Sequence, residues 1–288
     1  MDKKRVIGSF HEEDNEMSLK VAVAGPRGRM GSEAIKMIIN EPNFELVGCI
    51  DRKNNGKKLQ ELQLQSDVDV SNYPDVYIFE NPVECFQKTN PDVLVELTVP
   101  ESGFKNTKTA IEHHVRPVVG TSGFTNEQLN ELSNLAKNNH TGCIIAPNFA
   151  IGAVLMMQFS KMAAKYFPDV EIIEKHHDKK IDAPSGTAMK TIDLIEEVRE
   201  KKIQGHPEEY ETVKGARGGN VSGFRVHSVR LPGLMAQQEV IFGGKSQLLT
   251  IKHDSFHRES FMDGVKLAIE AVQFKDELIY GLENIMEF

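Results

Sequence analysis

No run of eighteen or more apolar residues occurs in the 288-residue chain, so no membrane-spanning helix is expected. Cysteine is scarce: only Cys49, Cys85 and Cys143 are present, far apart and each in an apolar context. An odd, scattered set with no C-x-x-C pair excludes a disulfide scaffold and a thiol redox motif. It reads as buried reduced thiols in a reducing, cytoplasmic setting. An excess of positive charge is also missing, since 34 Lys and Arg face 42 Asp and Glu for a net charge of −8. A broad nucleic-acid surface needs a basic face and is not expected, although a locally basic pocket can still hold a small anion. The opening MDKKRVIGSFHEEDNEMS lacks an apolar core and does not read as a secretory signal. Residues 1–17 are read as a mostly disordered extension.

The remaining length suits two lobes. The first half alternates short Val/Ile/Leu-rich runs with amphipathic stretches. Strands are expected at 19–25, 44–51, 76–80, 92–98, 116–121 and 141–147. Helices are expected at 32–40 and 102–114, and from Thr125, whose capping-box spacing to Gln128 opens a helix reaching about Asn138. Near-continuous apolar strands separated by helices indicate an α/β fold, a Rossmann-type doubly wound parallel sheet covered on both faces. The pattern changes near residue 150. A helix over 151–166, a strand over 170–176, a helix from about Thr187 to Lys202, an aperiodic loop over 204–220 and strands at 221–230, 238–243 and 246–253 indicate a second α+β lobe with a mixed or antiparallel sheet. Gly243-Gly244 is the expected hairpin turn. The tail from about Ser260 is helical again and is expected to return to the first lobe. The resulting division is 18–147 plus 257–288 for a dinucleotide-binding domain and 148–256 for a substrate-binding and oligomerisation domain.

The first strand runs into Gly25, Pro26, Arg27, Gly28, Arg29, Met30 and Gly31, and a helix follows. Glycines let the backbone turn tightly and approach a pyrophosphate, and a helix N-terminus offers it unpaired N–H groups. Asp51 stands where an acid would accept from the adenine ribose hydroxyls. Arg52 and Lys53 beside it could hold a 2′-phosphate instead, so use of either NADH or NADPH is expected. The densest chemistry lies in 174–188. His176 and His177 end a strand, Lys180 follows after a short loop, and Ser185, Gly186 and Thr187 begin a helix. Helix N–H groups and hydroxyls facing an ammonium make a cup for a carboxylate, with an imidazole placed to supply a proton. No metal site is expected: adjacent His176 and His177 would point to opposite faces of a strand, and His253 and His257 fall where a strand ends.

These motifs resemble those of the dihydrodipicolinate reductase family, which acts on 4-hydroxy-tetrahydrodipicolinate, and the resemblance runs over residues 19–288. GPRGRMG is similar to the family's cofactor loop, GTSGF (120–124) to its nicotinamide-side G-T-T-G-F, and APNFAIG (146–152) to its hinge. HHDKKIDAPSGTA matches the signature H-H-x-x-K-x-D-A-P-S-G-T-A. The resemblance implies His176 as the acid and Lys180 as its partner. It implies substrate contacts at His177, Ser185, Gly186 and Thr187. Cofactor contacts are implied from Gly25 through Met30 and at Asp51, Arg52, Gly120, Thr121, Ser122, Ala146, Pro147, Asn148 and Phe149, with Arg258 near the site. It further implies a small dicarboxylate substrate and a homotetramer built through the second sheet.

Overall fold

The computed structural model describes residues 18–73 and 75–287, so the expected 1–17 extension lies outside the described residues. The first lobe is built from β1 (Leu19–Ala24), α1 (Arg29–Asn40), β2 (Phe44–Ile50), β3 (Ile78–Phe79), α2 (Pro82–Thr89), β4 (Val93–Glu96), α3 (Pro100–Glu112), β5 (Arg116–Val119), α4 (Asn126–Asn138) and β6 (Cys143–Ile145). The second begins with α5 (Ile151–Ala164), β7 (Asp169–His176) and α6 (Gly186–Glu196), and continues with β8 (Gly219–Val221), β9 (Phe224–Arg230), β10 (Ala236–Gly244) and β11 (Gln247–Ser255). A 3-10 turn at Arg258–Phe261 leads into α7 (Met262–Val272) and β12 (Leu278–Tyr280).

The first sheet has the order β12-β6-β5-β4-β1-β2-β3 and every pairing in it is parallel. Its central strands are buried on both faces, as their unbroken apolar runs require. Strand order reverses between β1 and β4, where an open α/β sheet presents a crevice at its carboxyl edge. The second sheet, β11-β10-β7-β9-β8, is mixed: β7 and β9 run parallel and the other neighbours antiparallel. On β7, Val170, Ile172 and Glu174 are buried, so one face is covered and the other partly open. The chain crosses from the first sheet to the second at Ala146–Ala150 and comes back through α7. That helix presses against the outgoing segment so closely that a Cβ on Gly264 would lie 1.9 Å from the Phe149 carbonyl oxygen.

Several sequence expectations shift. Helix α6 ends at Glu196 rather than near Lys202, and beyond it the Arg199 guanidinium donates to the carbonyls of Pro168, Ser222 and Lys202, which hold the following segment outside the helix. The expected 221–230 strand is two strands joined at Ser222-Gly223, both with positive φ. The β10–β11 turn is Lys245-Ser246. Gly244 still pairs with Gln247, and it is glycine because a Cβ there would meet the Phe167 ring at 2.9 Å. Helix α2 and strand β12 were not foreseen. All three cysteines are buried free thiols, and burial pushes Cys85 up to about 12.

Candidate active site

The glycine loop is shaped by close packing. Gly25 adopts φ +86°, and a Cβ there would lie 2.9 Å from the Leu97 carbonyl oxygen of the neighbouring β4 end. A Cβ on Gly31 would lie 2.0 Å from the Gly25 carbonyl oxygen, so only glycine lets α1 sit this close to the turn. Gly28 caps α1 without a side-chain bond, which leaves first-turn N–H groups of the helix available to an anion. By contrast α2, α4 and α6 are capped by Asn81, Thr125 and Ser185. Pro26 is buried, Arg27 and Arg29 are exposed, and Met30 packs on the core. Beside the loop lies a cavity of about 330 Å³ lined by Gly25, Arg27, Gly28, Asp51, Arg52, Lys53 and Lys105 among others. The uncapped helix, the cradle a Cβ would fill and the cationic rim all fit the pyrophosphate and adenosine end of a nicotinamide dinucleotide.

Asp51 follows β2 as expected, and Arg27 engages both of its carboxylate oxygens. The Lys53 N–H (2.9 Å) and Asn54 (3.2 Å) also donate to it. Burial pushes this carboxyl up, but the hydrogen bonds from Arg27, Lys53 and Asn54 and the Arg27 charge outweigh it and hold the group below the usual range. Arg258 begins the 3-10 turn beside α1, where burial and the Arg29 charge lower its guanidinium.

The segments expected on the nicotinamide side extend from neighbouring carboxyl ends of the same sheet. A Cβ on Gly120 would strike Leu97 at 2.6 Å and the Phe149 ring at 3.1 Å. Thr121 is 5% exposed, and its hydroxyl donates to Glu96 and the Thr98 carbonyl, each at 3.3 Å. The Thr121 side chain therefore braces the loop, and its backbone is what remains for a ligand. Ala146 and Phe149 are buried in the same way. Glu96, fully buried, is pushed up by desolvation and partly offset by donors from Thr98, Asn106 and Thr121.

Ser122, Pro147 and Asn148 open onto a second cavity, of about 440 Å³, that is also lined by His176, Lys180, Ser185, Gly186 and Thr187. The two lobes thus contribute to one cleft, and Asn148, at the crossover between them, donates to the Thr187 hydroxyl at 3.2 Å. Ser185 is 3% exposed and its hydroxyl accepts from the Ala188 N–H, so it builds the helix start. Gly186 has no atom within 4 Å of a notional Cβ and leaves that helix end open. Lys180 pairs with both oxygens of exposed Asp182, at 2.7 and 2.8 Å. His177 is outside the cavity lining, and its Nδ1 is buried without a partner. Among the described residues no group of three or more His, Cys, Asp or Glu could hold a metal.

Sequence reasoning missed Lys190, Tyr280, Gly281 and Glu283 in this lining, and Glu174 and Arg230 behind it. Lys190 lies one helical turn past Thr187, a spacing that could have indicated it. The C-terminal segment carries no comparable signal, because long-range pairing of β12 with β6 brings it there.

Two family models match the chain along nearly its whole length. "Dihydrodipicolinate reductase, N-terminus" matches residues 19–149 and "Dihydrodipicolinate reductase, C-terminus" matches 152–286. The chain belongs to the dihydrodipicolinate reductase family. Family relatives include the 4-hydroxy-tetrahydrodipicolinate reductase of Oceanobacillus iheyensis, 59% identical over 94% of this chain and 100% of that one. That of Bacillus subtilis is 55% identical over 94% and 98%. A solved family structure, dipicolinate-bound dihydrodipicolinate reductase from Paenisporosarcina sp. TG-14, superposes with a TM-score of 0.83 at 50% identity, covering 94% of this chain and 100% of that one. The amine dehydrogenase of Mycobacterium smegmatis shares the fold alone, at 14% identity and a TM-score of 0.60, covering 91% and 93%.

Proposed function

We propose that this chain reduces 4-hydroxy-tetrahydrodipicolinate to tetrahydrodipicolinate with loss of water, using NADH or NADPH, in the diaminopimelate route to lysine. One observation carries the reading: Ser122 and Pro147 of the dinucleotide-type lobe share a cavity with Asn148, His176, Lys180 and Thr187 of the other. The relative whose structure holds dipicolinate supports a ring dicarboxylate as the ligand class.

Gly25 through Gly31 hold the pyrophosphate, Asp51 and Arg52 the ribose end, and the Gly120–Ser122 and Ala146–Phe149 segments the nicotinamide end. When bound, the dinucleotide supplies a hydride to ring carbon 4. The Gly186 and Thr187 N–H groups, at the positive end of α6, bind one ring carboxylate. The Lys180 ammonium takes the same charge, releasing exposed Asp182 to solvent. His177, outside the lining of the open cleft, joins the carboxylate contacts when the lobes close. His176 donates a proton to the enamine carbon left after reduction. Closure about Ala146–Phe149 excludes water from the cleft. The division into 18–147 plus 257–288 and 148–256 is our reading of the lobes. So are a cytoplasmic location and a homotetramer joined through the open face of the second sheet. No helix among the described residues is long and apolar enough to cross a membrane.

The test is to supply freshly prepared hydroxy-tetrahydrodipicolinate with NADH and NADPH in turn and follow loss of the reduced nicotinamide. Oxidation is expected only when substrate and dinucleotide are both present. Failure with both dinucleotides sinks the assignment.

A further inference from the structure

Along the covered face of β7 the side chains run Val170, Ile172, Glu174, His176. The first two are apolar, as a covered face demands. Glu174 breaks the pattern with a carboxylate that is 0% exposed. Burying an ion costs several kcal/mol, and well-packed apolar side chains are often at least as stabilising as a buried ion pair. The carboxylate reaches His176 Nδ1 at 2.5 Å and receives both ends of the Arg230 fork, at 2.7 and 2.9 Å. Arg230 is brought there by register, since it pairs with His176 across β7 and β9. It also donates to the Asp182 carbonyl at 2.8 Å, which ties the cluster to the loop bearing Lys180. Its Nε is buried without a partner, so the cluster is not one optimised for stability alone.

We propose that Glu174, fixed by Arg230, is a positioning residue for His176: it accepts a hydrogen bond from Nδ1–H and so leaves Nε2 as the nitrogen that delivers a proton to the cavity. The carboxylate selects one tautomer of the neutral ring and stabilises the imidazolium. In the transfer the Nε2–H bond breaks as the C–H bond of the reduced ring forms. His176 keeps its Nδ1 proton, Glu174 stays ionised, and solvent restores the Nε2 proton after product leaves. Arg230 moderates the effect by drawing on the same two oxygens. The other charged groups around His176 are Lys180 and Asp182 on the loop, Lys190 on α6 and Glu283 on the C-terminal segment.

This inference rests on the acid role proposed for His176, and Glu174→Gln and Arg230→Gln in the full-length protein test it. Glu174→Gln is expected to cut kcat on the order of ten- to a hundredfold, by analogy with the loss of a carboxylate that orients a metal-bound histidine. KM for both substrates should stay within about twofold of wild type. The readout is the limb of the kcat-against-pH profile on which activity is lost toward high pH. That limb should move to lower pH in Glu174→Gln, which removes the stabilising charge, and to higher pH in Arg230→Gln, which leaves the carboxylate wholly to the ring. Opposite displacements support the positioning role. Displacement in the same direction, or loss of activity that follows melting temperature with no movement of the limb, overturns it. Should Glu174→Gln not fold, Arg230→Gln decides alone, by moving the limb up or not. If His176→Gln retains wild-type kcat, the acid role falls and this inference with it. If only the Glu174 and Arg230 variants behave as wild type, the positioning role alone is lost.

Discussion

Replacing Gly31 with alanine tests the dinucleotide cradle with a single methyl group. That methyl would sit 2.0 Å from the Gly25 carbonyl oxygen, where real Cβ contacts essentially never fall below 3.0 Å. Neither atom belongs to a flexible side chain, so α1 must retreat from the turn by about 1 Å at least. Overpacking of this kind costs about 1–3 kcal/mol, equivalent to roughly 2–4 °C of melting temperature per kcal/mol for a lobe of this size. The same retreat withdraws the uncapped helix N-terminus from the phosphates. Losing one charge-assisted hydrogen bond, worth about 1.5–3 kcal/mol, weakens binding about tenfold to a hundredfold. Gly186→Ala is the control, because it also opens a helix yet has nothing within 4 Å of its Cβ. The chain has no tryptophan, so titration is best followed by the fluorescence of the reduced nicotinamide. A Gly31→Ala protein that binds NADPH within twofold of wild type and melts at the same temperature would refute the close-packing argument.

The remaining predictions concern charge. His176→Gln should lower kcat by about 10²–10⁴-fold while the dinucleotide Kd, read by the same fluorescence titration, stays unchanged; equal loss of both counts against an acid role. Arg52→Ala should weaken NADPH by about tenfold, the loss of roughly one charged contact, and leave NADH nearly untouched, measured as the ratio of the two KM values. Glu174 offers a stability test in acid. Burial pushes its carboxyl up, but hydrogen bonds from His176 and Arg230 outweigh that and bring it to about 2, below an ordinary value of 4.5. A depressed carboxyl stabilises the fold fully above the unfolded value and loses that contribution as pH falls through the folded one. The melting-temperature advantage of wild type over Glu174→Gln should therefore shrink as pH falls from about 4.5 toward 2. An advantage that grows over that interval would contradict it.

Much of this was legible in the residues, for identifiable reasons. Parallel strands such as Val93–Glu96 are buried on both faces, so their apolar runs needed no partner to be seen. Thr125 and Gln128 carry their cap within four residues, and both bonds form. The glycine loop declares itself because each contact a Cβ would violate lies within the loop or on the adjacent strand end. The cluster from His176 to Thr187 was visible because it is contiguous. Less legible was whatever depends on sheet register. Glu174 and His176 share a strand face by simple alternation, yet the meaning of that pairing appears only once β9 places Arg230 opposite. Strand β12 is three residues on a sheet edge, too short for any period to mark it. The hairpin glycines misled because a glycine can serve a neighbour's ring as readily as a turn.

The placement of β12 also bears on how the protein comes together. Its partner β6 is made before the entire second sheet, and β12 after it. During synthesis the far margin of the first lobe stays unpaired until all the intervening polypeptide has emerged and found its own shape. The wall formed by Tyr280 to Glu283 is absent until then, so a nascent chain can carry every histidine and lysine of the cleft and still lack an enclosed site. The enclosed cleft is therefore a late product of assembly, completed only once both lobes are in place.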